Sequence, residues 1–94
     1  MTVRWSSGAR RDIVAIVDYL ADVDRVAATA MIDRIDDAVS LLDGHPALGR
    51  PGRVASTREL IIAGTPYIVV YRIVGPDAQV LRVLHAAQKW PATN

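Results

Sequence analysis

The spacing of apolar residues changes once along the 94-residue chain, and this change limits the folds that the chain can adopt. In the first half, apolar residues recur every three or four positions, which is the spacing of amphipathic helices. In the second half, short runs rich in β-branched and aromatic residues are divided by turns that contain Gly and Pro, a pattern typical of antiparallel strands. The sequence therefore predicts an α+β domain whose helical half precedes its sheet-forming half.

Two helices joined by a short turn are predicted in the first half. The first spans about residues 7–22 and follows the capping hydroxyls of Ser6 and Ser7. The second spans about residues 25–43, begins after Asp24 and ends before Gly44. So short a connection favours two helices packed side by side as a helical hairpin. Their apolar stripes supply the predicted core residues Ile13, Ile16, Ile32, Ile35 and Val39.

Strands are predicted at residues 3–5, 57–63, 67–74 and 78–85, which gives the element order β-α-α-β-β-β and a small, mainly antiparallel sheet. Residues 3–5 are too few to stand alone, so we expect them to join the sheet formed by the later strands. Both faces of the strand at 67–74 are apolar except at Arg72. We therefore expect the helical hairpin to cover one face, and either the C-terminal tail or a partner chain to cover the other.

Length and composition exclude several classes of protein. Ninety-four residues are enough for one domain, which we assign to residues 1–94. The chain has no cysteine, so disulfides, thiol nucleophiles and thiolate metal sites are excluded. No apolar run is long enough for a membrane span and no signal peptide is recognisable, so we expect a cytoplasmic protein without membrane contact.

Charge is unevenly distributed along the chain although the formal net charge is +1. Residues 1–47 carry five Arg and eight Asp, a balance of −3, whereas residues 48–94 carry five Arg, one Lys, one Glu and one Asp, a balance of +4. The total is too small for non-specific nucleic-acid binding, but the basic half can present a positive surface to a partner.

Candidate binding residues are concentrated in the basic half, where phosphate or acidic partners are the expected ligands. His85 ends the last strand and either joins this cationic set or bonds to the backbone, whereas His45 lies at a helix end. The histidine spacing indicates no metal site, no motif indicates a cofactor, and no catalytic residue is assigned. The predicted target-binding residues, which we expect to gather at one end of the sheet, are Arg58, Arg72, Arg82, His85, Lys89 and Trp90, with Arg50 and Arg53 on a flexible basic loop. A structural alternative for Arg82 is an ion pair with Glu59 or with an aspartate on the helices.

Several short motifs, taken in order, resemble the ParE branch of the ParE/RelE toxin superfamily. They lie after the helical hairpin at residues 49–51, 57–60, 66–72, 81–85 and 89–91, with the sequences GRP, TREL, PYIVVYR, LRVLH and KWP. The resemblance covers nearly the whole chain, and β-α-α-β-β-β is the fold of that superfamily. It implies the toxin of a bacterial type II toxin–antitoxin pair that traps DNA gyrase on cleaved DNA. A ParD-like antitoxin would then bind the toxin, and the toxin would reach operator DNA only through that antitoxin.

The alternative within the superfamily is a RelE-type ribosome-dependent mRNA endonuclease, whose chemistry needs a general acid and a general base. Arg58, Arg72 and Arg82 match the basic strand positions of that branch. Its members usually carry a Tyr near the C-terminus, where this chain has Trp90, and an indole cannot transfer a proton as a phenol can. His85 is a possible substitute, so the sequence favours the gyrase inhibitor without removing the nuclease. A member that binds its antitoxin but poisons nothing is a third reading.

Overall fold

The computed structural model describes residues 2–91 as two helices packed on a five-stranded mixed sheet. The predicted fold class is confirmed, and the second predicted helix is divided into an α-helix and a 3-10 turn at Leu41–Asp43. In chain order the elements are β1 (Val3–Trp5), α1 (Ser7–Val23), α2 (Arg25–Ser40), β2 (Arg50–Pro51), β3 (Arg58–Ile61), β4 (Tyr67–Val74) and β5 (Asp77–His85).

Side-chain caps fix where both helices begin. The Ser6 hydroxyl accepts a hydrogen bond from the Ala9 N–H at 3.1 Å. The Asp24 carboxylate accepts from the N–H groups of Val26 and Ala27 at 2.9 and 3.2 Å. These bonds satisfy donors that a helix leaves free in its first turn. Asp24 is also the residue at which α1 ends, so one residue separates the two helices.

The strand order across the sheet is β1-β5-β4-β3-β2. β1 pairs in parallel with β5, and the other neighbouring strands are antiparallel. Glycines with positive φ begin or close the turns on either side of β4, at Gly64 (φ 75°) and Gly75 (φ 58°), a conformation that costs other residues energy. β2 was predicted as irregular loop. It forms a two-residue strand because Arg50 and Pro51 pair with Glu59 and Arg58 of β3.

The core lies between the helices and one face of the sheet, where Ile35 and Val39 pack with Val69 and Tyr71. Ile35 and Val39 are buried as predicted, whereas Ile13, Ile16 and Ile32 are half-buried and pack against the core. Ile13 and Ile32 are incompletely covered because they line an open groove of about 430 Å³ between the two helices.

The second face of β4 is buried within this chain at Ile68 and Val70, whereas Arg72 and Val74 on the same face are exposed. Val70 is fully buried and Ile68 is 7% exposed, and Val70 lies between Glu59 and Arg82 in the strand register. No partner chain is therefore needed over these two residues. The helical hairpin instead carries apolar side chains that are more than half exposed, namely Val14, Tyr19, Val23 and Val26. Within residues 2–91, neither helix has the length and apolar character to cross a membrane.

Candidate target-binding site

The strand register separates the predicted target-binding residues along the sheet. Arg58 pairs with Tyr71, and His85 pairs with Tyr67. Since these tyrosines lie four residues apart on β4, about 13 Å along the strand separates Arg58 from His85. The expectation that all six residues gather at one end of the sheet is therefore wrong, because the basic residues of the antiparallel strands align with different positions of β4.

Arg58 and Arg72 lie on opposite faces of the sheet. Arg58 shares a face with its partner Tyr71, a core residue, and its Nη1 donates to the Gly49 carbonyl at 2.7 Å. Arg72 follows Tyr71 and points to the other face, where its Nε donates to Gln79 Oε1 at 2.9 Å. Both guanidinium groups thus donate to acceptors of the protein itself.

Arg82 and Trp90 are brought together, with Asp12 of α1 as a third member. Arg82 donates from Nε to Asp12 Oδ2 at 2.7 Å and from Nη2 to Oδ1 at 3.1 Å. The Arg82 guanidinium carbon lies 5.5 Å from the centre of the Trp90 ring, within the range of a cation–π contact. The hydrogen bonds to Asp12 raise the pKa of Arg82 against the opposing effect of burial. We call these three residues the Asp12–Arg82–Trp90 cluster.

His85 lies at an open groove of about 420 Å³ between α1 and the end of the sheet, and Asp12 lines the same groove. Its Nδ1 accepts a hydrogen bond from the Ala87 N–H at 3.1 Å, so the ring is bonded to the backbone as a structural histidine would be. The Tyr67 ring meets it edge to face at 5.8 Å. Tyr19 also lines this groove, and burial together with the Tyr19 phenol raises the pKa of Tyr67.

The arginines of the predicted basic loop are bound to a buried carboxylate. Glu59 is 1% exposed and accepts from Arg53 through N–H, Nε and Nη2 at 2.8, 3.2 and 3.1 Å, and from Arg50 Nη2 at 3.4 Å. Burial by itself raises the pKa of Glu59, but the hydrogen bonds and charge of Arg53, with help from Arg50, lower it overall. We call Arg50, Arg53 and Glu59 the Glu59 cluster. It ties residues 50–53 to β3, so the prediction of a flexible loop is wrong.

Close packing beside the Glu59 cluster depends on Gly49. A Cβ atom at this position would lie 2.7 Å from Tyr71 Cε1 and 3.0 Å from the Glu59 carbonyl oxygen. The Tyr71 hydroxyl accepts from the Gly49 N–H at 2.8 Å and donates to the Pro46 carbonyl at 2.7 Å. The chain between α2 and β2 is therefore bound to the centre of the sheet.

Side chains able to exchange protons are separated from Arg58 and Arg72, whereas Arg82 lies three positions before His85 on β5. His85, Tyr19 and Tyr67 share the groove beside α1, whereas Arg58 and Arg72 lie toward the opposite end of β4. Lys89 is exposed and forms no ion pair within residues 2–91. Over the same residues, no group of three or more His, Asp or Glu side chains is arranged to hold a metal ion.

Sequence reasoning missed the acidic residues that orient these arginines. Glu59 carried a usable signal, because it is the chain's one glutamate and directly precedes the apolar residues Leu60 and Ile61 of its strand. No sequence signal marked Asp12, since it is 70 positions from Arg82 and lies among other charged residues at the start of α1. Of the two predicted alternatives for the partner of Arg82, Glu59 or an aspartate on the helices, the aspartate is confirmed, with Asp12 as that residue.

A comparison with protein families matches this arrangement over nearly the whole chain. The family model described as "ParE toxin of type II toxin-antitoxin system, parDE" matches residues 3–90. The chain belongs to the ParE toxin family. The predicted resemblance is thus confirmed, and the chain is a type II toxin of the ParE/RelE superfamily.

Two relatives of this ParE-family chain are similar over most of both sequences. The protein named "Putative toxin Y4kP" of Sinorhizobium fredii is 46% identical over 89 residues, which cover 95% of this chain and 92% of that protein. "Toxin RelE2" of Caulobacter vibrioides is 33% identical over 86 residues, which cover 92% of this chain and 96% of that protein. One relative is thus named as a putative toxin and the other as a RelE toxin.

Two solved toxin–antitoxin structures share the fold of this ParE-family chain. The chromosomal ParDE system of P. aeruginosa matches with a TM-score of 0.80 and 27% identity, over 90% of this chain and 95% of that one. The RelBE2 complex of Mycobacterium tuberculosis matches with a TM-score of 0.62 and 28% identity, over 89% of this chain and 95% of that one. Two helices on a mixed five-stranded sheet are common to this chain and to these toxins.

Proposed function

We propose that this ParE-family toxin acts by binding and poisoning DNA gyrase, as an inhibitor rather than an enzyme. The observation that carries the proposal is the distance of Arg58 and Arg72 from the proton-transfer groups, together with the pairing of Arg82 with Asp12. A ribonuclease needs phosphate-binding cations beside a general acid and a general base. Here Arg58 lies about 13 Å along the strand from His85, and Arg82 is neutralised by Asp12.

Target engagement is assigned to the half-buried Arg82 and Trp90 and to the exposed residues beside them. Trp90 supplies a large aromatic surface beside the oriented guanidinium of Arg82, and such pairs are frequent at the centres of protein interfaces. Lys89 is exposed next to Trp90. We therefore propose that Arg82, Lys89, Trp90 and the nearby His85 form the main contact with the target. Arg58 and Arg72 contribute from the other end of the sheet, and Arg50 and Arg53 hold β2 in place.

We further propose that a ParD-like antitoxin binds the helical hairpin. Both solved neighbours come from toxin–antitoxin systems. In this chain, Ala9 is the one fully buried residue of α1, while Ile13 and Ile16 remain half-buried beside open grooves. An amphipathic antitoxin segment can complete the burial of this stripe. The toxin then reaches operator DNA indirectly, through the antitoxin, and acts in the cytoplasm, where gyrase works, as a single domain without a metal or cofactor.

The proposal is tested by adding purified toxin to gyrase and plasmid DNA. We expect supercoiling to stop or linear DNA to accumulate, and we expect added antitoxin to prevent both effects. Trp90→Ala should inhibit gyrase about tenfold or more less strongly than the wild type, as expected for an interface anchor. Asp18→Asn on the exposed side of α1 is the matched control and should inhibit like the wild type. Unchanged gyrase activity at all toxin concentrations would refute the proposal.

A ribosome-dependent mRNA endonuclease is the second candidate, favoured by the similarity to toxin RelE2 and by the phenols beside His85. It predicts cleavage of ribosome-bound mRNA by the purified toxin. The double variant Tyr19→Phe/Tyr67→Phe would then lose cleavage while keeping both aromatic rings. Cleavage without gyrase inhibition would replace the first proposal by this one.

A further inference from the structure

Asp12 is placed so that it determines the orientation of the Arg82 guanidinium. Both of its carboxylate oxygens accept from Arg82, at 2.7 and 3.1 Å, in the two-point geometry that fixes the plane of a guanidinium. Asp12 Oδ2 also accepts from the Val83 N–H at 2.8 Å. This third bond anchors the carboxylate to β5, so the direction in which Arg82 extends is fixed from both α1 and the sheet.

The position of the Trp90 ring depends on its contact with Arg82, because the indole forms no hydrogen bond within residues 2–91 that would hold it. Its indole Nε1 is buried and has no hydrogen-bond partner among the residues that the structure describes. Its ring lies over the Arg82 guanidinium at 5.5 Å. The attraction between a guanidinium cation and the face of an indole depends on where the cation is held, and the pair with Asp12 holds it. The position of the Trp90 ring is therefore coupled to the Asp12–Arg82 pair.

We propose that Asp12 is a positioning residue for target binding: it orients Arg82, and Arg82 holds Trp90 in the conformation that meets the target. This inference rests on the proposed role of Trp90 in target engagement. It adds a residue of α1 to a site whose other members lie at the C-terminal end of the chain. An ordinary structural role for Asp12 predicts loss of stability when it is replaced, but no dependence of that loss on Trp90.

The test uses the intact toxin in a Trp5→Phe background, in which Trp90 is the remaining tryptophan. Asp12→Asn keeps the side-chain volume and an oxygen that can accept from the Val83 N–H, but removes the charge that holds Arg82. Asp18→Asn is the matched control on α1. Circular dichroism establishes that each variant is folded before it is compared.

The first measurement is fluorescence of Trp90 in these folded proteins. Asp12→Asn and Arg82→Lys should both shift the emission and increase its quenching by acrylamide, because the indole loses the guanidinium that covers it. Asp18→Asn should leave the emission unchanged. An unchanged spectrum for folded Asp12→Asn would overturn the coupling between Asp12 and Trp90.

The second measurement is growth arrest after induced expression, which does not depend on which target is correct. Asp12→Asn should weaken the arrest by about tenfold, and should add little further loss in a Trp90→Ala background, because both changes disable the same contact. Full additivity of the two losses would overturn the inference. If the wild type arrests growth without inhibiting gyrase, the proposed function fails, while the same double-mutant comparison still decides the role of Asp12.

Discussion

The Glu59 cluster gives the sharpest test of how this small fold is stabilised. Glu59→Gln replaces a carboxylate that is 1% exposed by a neutral side chain of nearly the same volume. The carboxylate accepts four hydrogen bonds, three of them from Arg53. The amide can accept with one oxygen, and its NH2 group then faces the donors of a guanidinium.

The magnitude of the loss follows from how exposed the two arginines are. A hydrogen bond to a charged group contributes about 1.5–3 kcal/mol. The Arg50 and Arg53 side chains are 56% and 43% exposed, so water can solvate them again when the carboxylate is removed. We therefore expect a loss of about 2 kcal/mol in the free energy of unfolding, which is about one such bond. This lowers Tm by about 8–16 °C in a domain of this size.

The effect should also depend on pH, in a direction fixed by the pKa of Glu59. That pKa is lowered in the folded protein below the ordinary value of 4.5. The stabilisation is therefore fully present above the unfolded-state pKa and is lost as the pH falls through the lower folded-state pKa. The difference in stability between wild type and Glu59→Gln should be largest near neutral pH and should shrink below about pH 4.5.

Urea denaturation of both proteins across this pH range measures the difference directly. Asp77→Asn is the matched control, because Asp77 pairs with Arg4, whose side chain is 69% exposed, and such a pair contributes less than about 1 kcal/mol. The reasoning is wrong if the free energies of unfolding of Glu59→Gln and the wild type differ by less than about 0.5 kcal/mol at neutral pH. It is also wrong if this difference does not change with pH.

Three further substitutions test the packing that positions the site. Ile35→Ala should destabilise by about 2–5 kcal/mol in a denaturation curve, whereas the same change at Ile61, which is 55% exposed, should cost much less. Tyr71→Phe removes the hydroxyl that bonds to Pro46 and Gly49, and should cost about 1–3 kcal/mol by the same measurement. Gly49→Ala should cost about 1–3 kcal/mol, because its Cβ would meet the Tyr71 ring at 2.7 Å, and a wild-type melting temperature would contradict the close approach.

Local pattern was sufficient to predict most of the fold. The bounds of β4 were predicted correctly because a run that is apolar except at Arg72 lies between two glycine-containing turns. β3 is shorter than predicted because Ile62 already belongs to the turn, where its N–H donates to the Tyr67 carbonyl. β2 could not be predicted from pattern, since two residues, one of them proline, have no period of their own. It exists because β3 offers a free edge beside Glu59.

The candidate site was less predictable, because side-chain pairing across long sequence separations leaves no periodic signal. The sequence identified Arg82 and Trp90 but gave no reason to select Asp12, which joins them from α1. It also suggested a flexible loop at Arg50 and Arg53, where a buried carboxylate holds both side chains. In each case the missing information was the partner of a charged group.

These pairings change what the charge asymmetry of the sequence implies. Arg50 and Arg53 share one carboxylate, and Arg82 is paired with Asp12, so half of the six basic side chains after residue 47 are bound to carboxylates. Arg72 donates to a neutral amide. A field strong enough to attract nucleic acid over long distances needs basic groups that are free and close together. The arginines of the second half are instead held by acceptors of the protein itself, and three of them are paired with carboxylates, which supports the proposed short-range contact with a shaped protein surface.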